Sequence, residues 1–237
     1  MQSKIVPLDS NIHKNIKIQA DKFYSHIQQQ NIIPILAFEF LKASSDYPIF
    51  FIKQEDTGRF KSVALMGLTE NENLVFTEGK VNADYIPANI QRYPFAVGKD
   101  ENKEQEMMLC IDEHSPLLSK EHGTILFNED GSPSELTEKI STKLTDLVAK
   151  EEATDIFIDF LVEHDLIQSL DLKLSLGAQG TKKINGLYKI DEEALHALDD
   201  ETALTVFKRK YFPAIYAHLS SLSQVNRLLK LKANFES

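Results

Sequence analysis

The chain reads as an α+β protein: an antiparallel sheet or meander in the N-terminal half, packed against a mostly helical C-terminal half. Three observations predict it. Up to about residue 130, short β-branched and aromatic runs alternate with Gly, Asn and Asp turns. The turn Asn128-Glu129-Asp130-Gly131 is then followed by Ser132-Pro133-Ser134-Glu135. That places Ser as an N-cap, Pro at the first helical position and Glu at the third, a capping box. Beyond it, apolar residues recur at helical spacing.

In order along the chain, Ile16 and Ile18 suggest a short strand, and residues 21–30 suit a helix. Residues 32–40 are apolar, and periodicity does not decide between helix and strand. A strand opens at Tyr47-Pro48 and runs to Lys53. Asp56-Thr57-Gly58 turns the chain, and residues 62–68 return antiparallel. A second turn at 71–73 precedes a strand over 74–77 and a reversal at Glu78-Gly79. Residues 95–98 and 107–112 form a further hairpin across the charged loop 99–106.

Past the capping box, Leu136, Ile140, Leu144, Leu147 and Val148 give one helix, and Ile156, Phe157, Phe160 and Leu161 a second from about Ala153. Residues 170–176 alternate as a strand that pairs with 182–189. Asp191 and Asp199 open acidic helix starts, where the macrodipole favours negative charge. Pro213 marks a break, and Ile215, Leu219, Leu222, Val225 and Leu229 form the stripe of a last helix. The 1–130 region is therefore strand-rich with a corner of prolines and aromatics, and 131–237 is helical with a short hairpin near 170–190. No Pro/Gly-rich linker separates them, so one integrated domain is the expectation.

Composition narrows the function classes. A chain of 237 residues with a net charge of −10 lacks the basic footprint that nucleic acid or an anionic membrane surface requires. Cys110 is the only cysteine, so no intramolecular disulfide forms. The N-terminus lacks the apolar run of a signal peptide, and no apolar stretch is long enough to span a bilayer. A cytoplasmic location without membrane insertion is the expectation.

Candidate chemistry is sparse. The seven histidines form no metal signature; were a metal bound, Asp112, Glu113 and His114, with His122 nearby, are the residues whose types suit its ligation. Cys110 sits among Met108, Leu109 and Ile111, where burial as a small hydrophobe outweighs a nucleophilic role. No Gly-x-Ser-x-Gly elbow is present, and Gly177-Ala178-Gln179-Gly180 lacks the spacing of a phosphate loop. His218, with Tyr216, Ser220 and Ser221, reads as a histidine satisfied at the edge of a packed stripe.

The most informative stretch is 85–95, which holds two prolines, three aromatics and one of four arginines. The prolines stiffen the backbone at Ile86 and Tyr93. Glu39 lies in the apolar run Leu36-Ala37-Phe38-Glu39-Phe40-Leu41, where an unpaired buried carboxylate is costly. Arg92 is the expected partner, either as a structural lock or, with Tyr47, Tyr85 and Tyr93 as walls, as the grip on a polar ligand. The candidate ligand-binding residues are thus Glu39, Tyr47, Tyr85, Arg92 and Tyr93; no catalytic residue and no cofactor is indicated.

The chain resembles the SapC family of bacterial proteins. The resemblance is carried by 34–40 with Glu39, Tyr47-Pro48-Ile49-Phe50, Leu65-Met66-Gly67-Leu68, Tyr85-Ile86-Pro87-Ala88, Arg92-Tyr93-Pro94-Phe95 and Cys110-Ile111-Asp112-Glu113. It continues through Leu126-Phe127 with Gly131, Gly186-Leu187 before Ile190-Asp191, and residues 216–222. The family takes its name from a surface-layer locus and has no generally established activity. Its relatives often occur beside uptake receptors and flavin- or iron-dependent oxygenases, which implies an accessory role and such a component as partner. The expected function is a binding or accessory protein holding a small polar ligand or a partner segment at the aromatic-plus-arginine corner. The alternatives are a metal- or cosubstrate-dependent enzyme, or a purely structural interaction protein, including a homo-oligomer.

Overall fold

The computed structural model describes residues 3–19, 24–77, 79–99, 107–175 and 180–235 of the chain. Strands dominate the N-terminal half and helices the C-terminal half, the α+β class that the sequence predicts. The chain divides into two compact units that interleave along it: Met1–Phe23 with Gln91–Ala149, and Tyr24–Ile90 with Lys150–Ser237. The strand-rich and helical stretches are therefore each distributed over both units.

In the first unit the predicted hairpin forms, with Phe95–Lys99 antiparallel to Met107–Asp112. Residues 100–106 of its loop lie outside the described residues. Ile5–Pro7 adds a third strand on the other side of Met107–Asp112. Lys17–Ile18 forms a smaller sheet between Leu118–Ser119 and Thr124–Ile125. The core is Phe95, Ile111, Leu126, Phe127 and Leu144, closed by Leu136, Ile140 and Leu147 from the helix.

The second unit is built on a five-stranded antiparallel sheet. Its order is Ile167–Ser175, Thr181–Ile190, Ile49–Lys53, Phe60–Leu65 and Ile32–Pro34. The late hairpin thus joins the early one through Leu187 opposite Ile52 and Tyr188 opposite Phe51. A bulge between Leu170 and Leu172 places two residues, Asn185 and Gly186, opposite one. Gly186 has φ of +76° with open space where a Cβ would stand, so its backbone angle, not crowding, selects glycine. The undecided segment 32–40 is both things in turn: a strand at Ile32–Pro34, then a 3-10 turn at Ala37–Glu39 leading into the helix Phe40–Ala43. The helix expected over 21–30 reduces to a 3-10 turn at Ser25–Ile27, with 21–23 outside the described residues.

Three helix boundaries differ from the sequence reading. The two helices expected on either side of residue 150 are one, Glu135–Glu163, since Lys150-Glu151-Glu152 contains no breaker. Its cap is Ser134, not Ser132: the Ser134 hydroxyl accepts from the Thr137 amide at 3.3 Å. Ser132 is already committed to Asp130, which takes its amide at 2.9 Å and its hydroxyl at 2.6 Å. The stripe from Ile215 to Leu229 is not one helix either. Phe212–Ser221 ends in a 3-10 turn, Leu222–Gln224, before Val225–Phe235 begins. Ser221 donates to the His218 carbonyl and accepts from the Ile49 amide, tying the helix end to the sheet.

Two helices end on a left-handed residue that is not glycine. After Glu135–Glu163, Asp165 has φ of +53°; after Asp200–Lys208, Lys210 has φ of +58°. At both, paired bonds close a Schellman motif: Leu166 to Leu161 with Asp165 to Val162, and Tyr211 to Val206 with Lys210 to Phe207. Aspartate tolerates this conformation better than lysine, so the strain falls mainly on Lys210. Lys210→Gly is expected to raise the unfolding free energy by about 0.5–1 kcal/mol in urea titrations.

His218 is fully buried beside Phe51, and its Nε2 accepts from the Ile190 amide at 3.0 Å. Burial, with a smaller contribution from Lys189, pushes its imidazole down from 6.5 to about 3. The unfolded chain therefore takes up this proton first as pH falls. Its contribution to stability is complete above pH 6.5 and is lost progressively towards pH 3. Burial lowers His26 as well, to about 4. Denaturation followed across this window should show stability rising with pH, and His218→Gln should flatten the slope by up to about 1.4 kcal/mol per pH unit.

Candidate functional site

Glu39 ends the 3-10 turn Ala37–Glu39 and is completely buried. Its Oε2 reaches back to accept from the Leu36 amide at 2.9 Å. Its Oε1 accepts from the Tyr85 hydroxyl and from the Ala88 amide, each at 2.7 Å. Three neutral donors of its own unit thus satisfy the carboxylate. Hydrogen bonds donated to a carboxylate are charge-assisted and favour its charged form.

The segment that supplies two of those donors is itself held at several points. The Tyr85 amide donates to Asp46 Oδ2 at 2.9 Å, and the Tyr85 carbonyl accepts from the Tyr47 hydroxyl at 2.6 Å. Asn89 donates to the Pro34 carbonyl at 3.0 Å. Arg227, on Val225–Phe235, donates to the carbonyls of Asp46 and Asn82 at 2.6 Å and 2.5 Å. Burial, then the charge of Asp46, pushes the Tyr47 phenol upward; burial, then the bond to Glu39, does the same for Tyr85. Both phenols stay protonated and act as donors. The sequence reading names Arg92 as the partner of Glu39; the partners the structure gives its carboxylate are instead Leu36, Tyr85 and Ala88, and the arginine that bonds near this segment is Arg227, through the Asp46 and Asn82 carbonyls.

Arg92 and Tyr93 belong to the other unit. Arg92 is exposed, and the Tyr93-Pro94 peptide bond is cis. The Tyr93 hydroxyl donates to Asp112 Oδ2 at 3.3 Å. Burial pushes Asp112 up, but hydrogen bonds from the Lys4 amide, Ser3 and the His114 amide outweigh it and hold its carboxyl below the usual range. Glu113 pairs with Lys4 at 2.6 Å. The acidic side chains of the 112–114 loop thus fasten the N-terminal strand, and among the described residues no group of three His, Cys, Asp or Glu side chains is placed to hold a metal ion. Cys110 is buried, and burial raises its thiol away from the reactive thiolate.

Of the five candidate residues, Glu39, Tyr47 and Tyr85 therefore meet in one network of the second unit, while Tyr93 serves a separate one. What the network supports is a groove of about 390 Å³ in that same unit. One edge is the Glu39 turn, which carries Phe38 and leads to Leu41. Both side chains are exposed, by 47% and 67%, although large and apolar. Phe157 and Tyr211 complete the floor, and Lys150, Arg209 and Lys210 stand around it. Thr154 ties the edge down, accepting from the Ala37 amide at 3.0 Å and donating to the Lys150 carbonyl at 2.8 Å. The sequence reading missed this groove because its parts lie on three separate segments. Its one local signal is the apolar run 35–41, too long to be buried on both sides of a single turn.

Glu39→Ala would leave one buried and two part-buried donors without their acceptor, and is expected to cost about 2–4 kcal/mol of unfolding free energy. Tyr85→Phe removes one of the three and should cost about 1–3 kcal/mol. Equilibrium denaturation of both variants tests that ranking.

A family model described as SapC matches residues 8–228, nearly the whole chain. No curated protein and no solved structure matches it. No helix among the described residues is long and apolar enough to cross a membrane.

Proposed function

The chain belongs to the SapC family, and from that premise we propose that it is an accessory binding protein whose binding face is the groove beside Phe38 and Leu41. The observation that carries this reading is how the polar groups of the corner are used. The carboxylate of Glu39 and the hydroxyls of Tyr47 and Tyr85 are spent on neighbouring protein groups. Gripping a ligand with them would require breaking buried or part-buried hydrogen bonds at about 1–3 kcal/mol each. They are better suited to holding a surface stiff, and the surface they hold presents two large apolar side chains to solvent.

Stiffness favours binding because ordering a loop on association subtracts from affinity. The Glu39 turn is ordered beforehand by its own carboxylate and by Thr154. Ligand or partner segment would therefore meet a preformed edge. The stretch 85–88, braced by Pro87, serves this arrangement as the frame, with Tyr85 and Ala88 as its fastening points.

The neutral dye Nile red, which fluoresces in apolar clefts, tests the reading. Wild type and Arg92→Ala should enhance its emission. Ala153→Trp, which fills the groove from an exposed helical position, should remove most of that enhancement while leaving the unfolding transition in place. Undiminished emission in the folded Ala153→Trp protein would defeat the proposal, and a loss in Arg92→Ala alone would return the binding face to the original corner.

A further inference from the structure

We infer that the groove takes a small amphipathic organic acid, with its apolar body on the Phe38, Leu41, Phe157 and Tyr211 floor and its anionic end at Arg209 and Lys210. This rests on reading the groove as the binding face and adds the chemistry of what fills it.

Charge is the first argument. The protein carries a net −10, yet the residues that line this groove include three cations and no acid. Among the described residues, neither Arg209 nor Lys210 is within ion-pair distance of a carboxylate. Both are exposed and follow directly on Asp200–Lys208, where the Schellman turn sets Lys210 in its left-handed conformation. A local cationic edge on an acidic body selects an anion by attraction at the site and repels it elsewhere.

The hydrogen-bonding inventory supplies the second argument. The Thr154 hydroxyl is already engaged as acceptor and donor. The floor is otherwise aromatic or aliphatic. Arg209 lies 5.5 Å from the ring centre of Phe160, and Lys150 lies 4.4 Å from that of Phe38. The first contact holds Arg209 against an aromatic face, with N–H groups of its guanidinium able to donate outward. A neutral polar ligand would find few partners here. An acid finds charge-assisted donors beside a surface that accepts its hydrocarbon.

Size is the third. A volume of about 390 Å³ stands near the lower end of the range of about 300–1,000 Å³ for small-molecule sites. Two fused rings or a comparable aliphatic body fill such a space.

The test uses 1-naphthylacetate and its neutral analogue 1-naphthylacetamide, titrated by calorimetry against the full chain. The acid is expected to bind about tenfold or more tightly than the amide, the worth of one charge-assisted contact. Arg209→Gln and Lys210→Gly should each reduce that preference, as should 0.5 M salt at about a 4 Å screening length. Lys210→Gly is chosen because it relieves backbone strain while removing the cation, so loss of folding does not confound it. Equal binding of acid and amide, both blocked by Ala153→Trp, would overturn the acid assignment and leave the groove as binding face. Binding of both that survives Ala153→Trp would overturn the two together. No binding of either compound to a wild-type protein that still takes up Nile red would overturn the acid assignment alone.

Discussion

The second unit depends on one buried carboxylate. Glu39 sits where its chain turns from strand to helix, and its two oxygens bridge that turn to Tyr85 and Ala88, far along the sequence. The constraint is electrostatic. A carboxylate removed from water needs its lone pairs satisfied, and three well-placed donors supply this here. Once this arrangement exists, the Tyr85 backbone is positioned for Asp46 and Tyr47, and the segment ends within reach of Arg227. The segments around Glu39, Tyr47 and Tyr85 are thus explained as members of a single fastening.

The same fastening has an outward consequence. A turn held from inside displays its opposite side chains at fixed positions, and here those are Phe38 and Leu41. The Leu65-Met66-Gly67-Leu68 motif shows a related economy. A Cβ on Gly67 would stand 2.1 Å from the Glu72 carbonyl oxygen, so glycine permits the close turn. Glu72 then accepts from the Leu68 and Thr69 amides and from Lys232. In both places a buried or half-buried acid organises a loop after a strand, and chemistry on substrate is not needed to explain why the acid is there.

Local chemistry made much of the fold legible. The hairpins at 49–65 and 95–112 follow from alternating apolar residues and turn signals, and the acidic helix starts at Asp191 and Asp199 cap as their residue types suggest. Where the reading slipped, a competing hydrogen bond, local or distant, had claimed the residue in question. Ser132 has the right spacing for a cap but is held by Asp130, and Ser134 takes the helix instead. Residues 215–229 keep an unbroken stripe, yet Ser221 is drawn to the Ile49 amide and the helix changes to 3-10 there. The expense of burying Glu39 was readable from its apolar neighbours; the identity of its donors was not.

Taken alone, the sequence determined the class of the fold, the family, the burden that Glu39 places on its surroundings and the stiffness of the 85–95 stretch. These follow from composition, spacing and proline geometry, which act within a few residues. Only the tertiary structure decided that Arg227 joins the Asp46 and Asn82 carbonyls, that the 167–190 hairpin completes the early sheet, and that Lys150, Arg209 and Lys210 surround one apolar floor. The reason is physical: hydrogen bonds and charge pairs are made between whichever groups the folded backbone brings within about 3 Å, and separation along the chain places no limit on which groups those are.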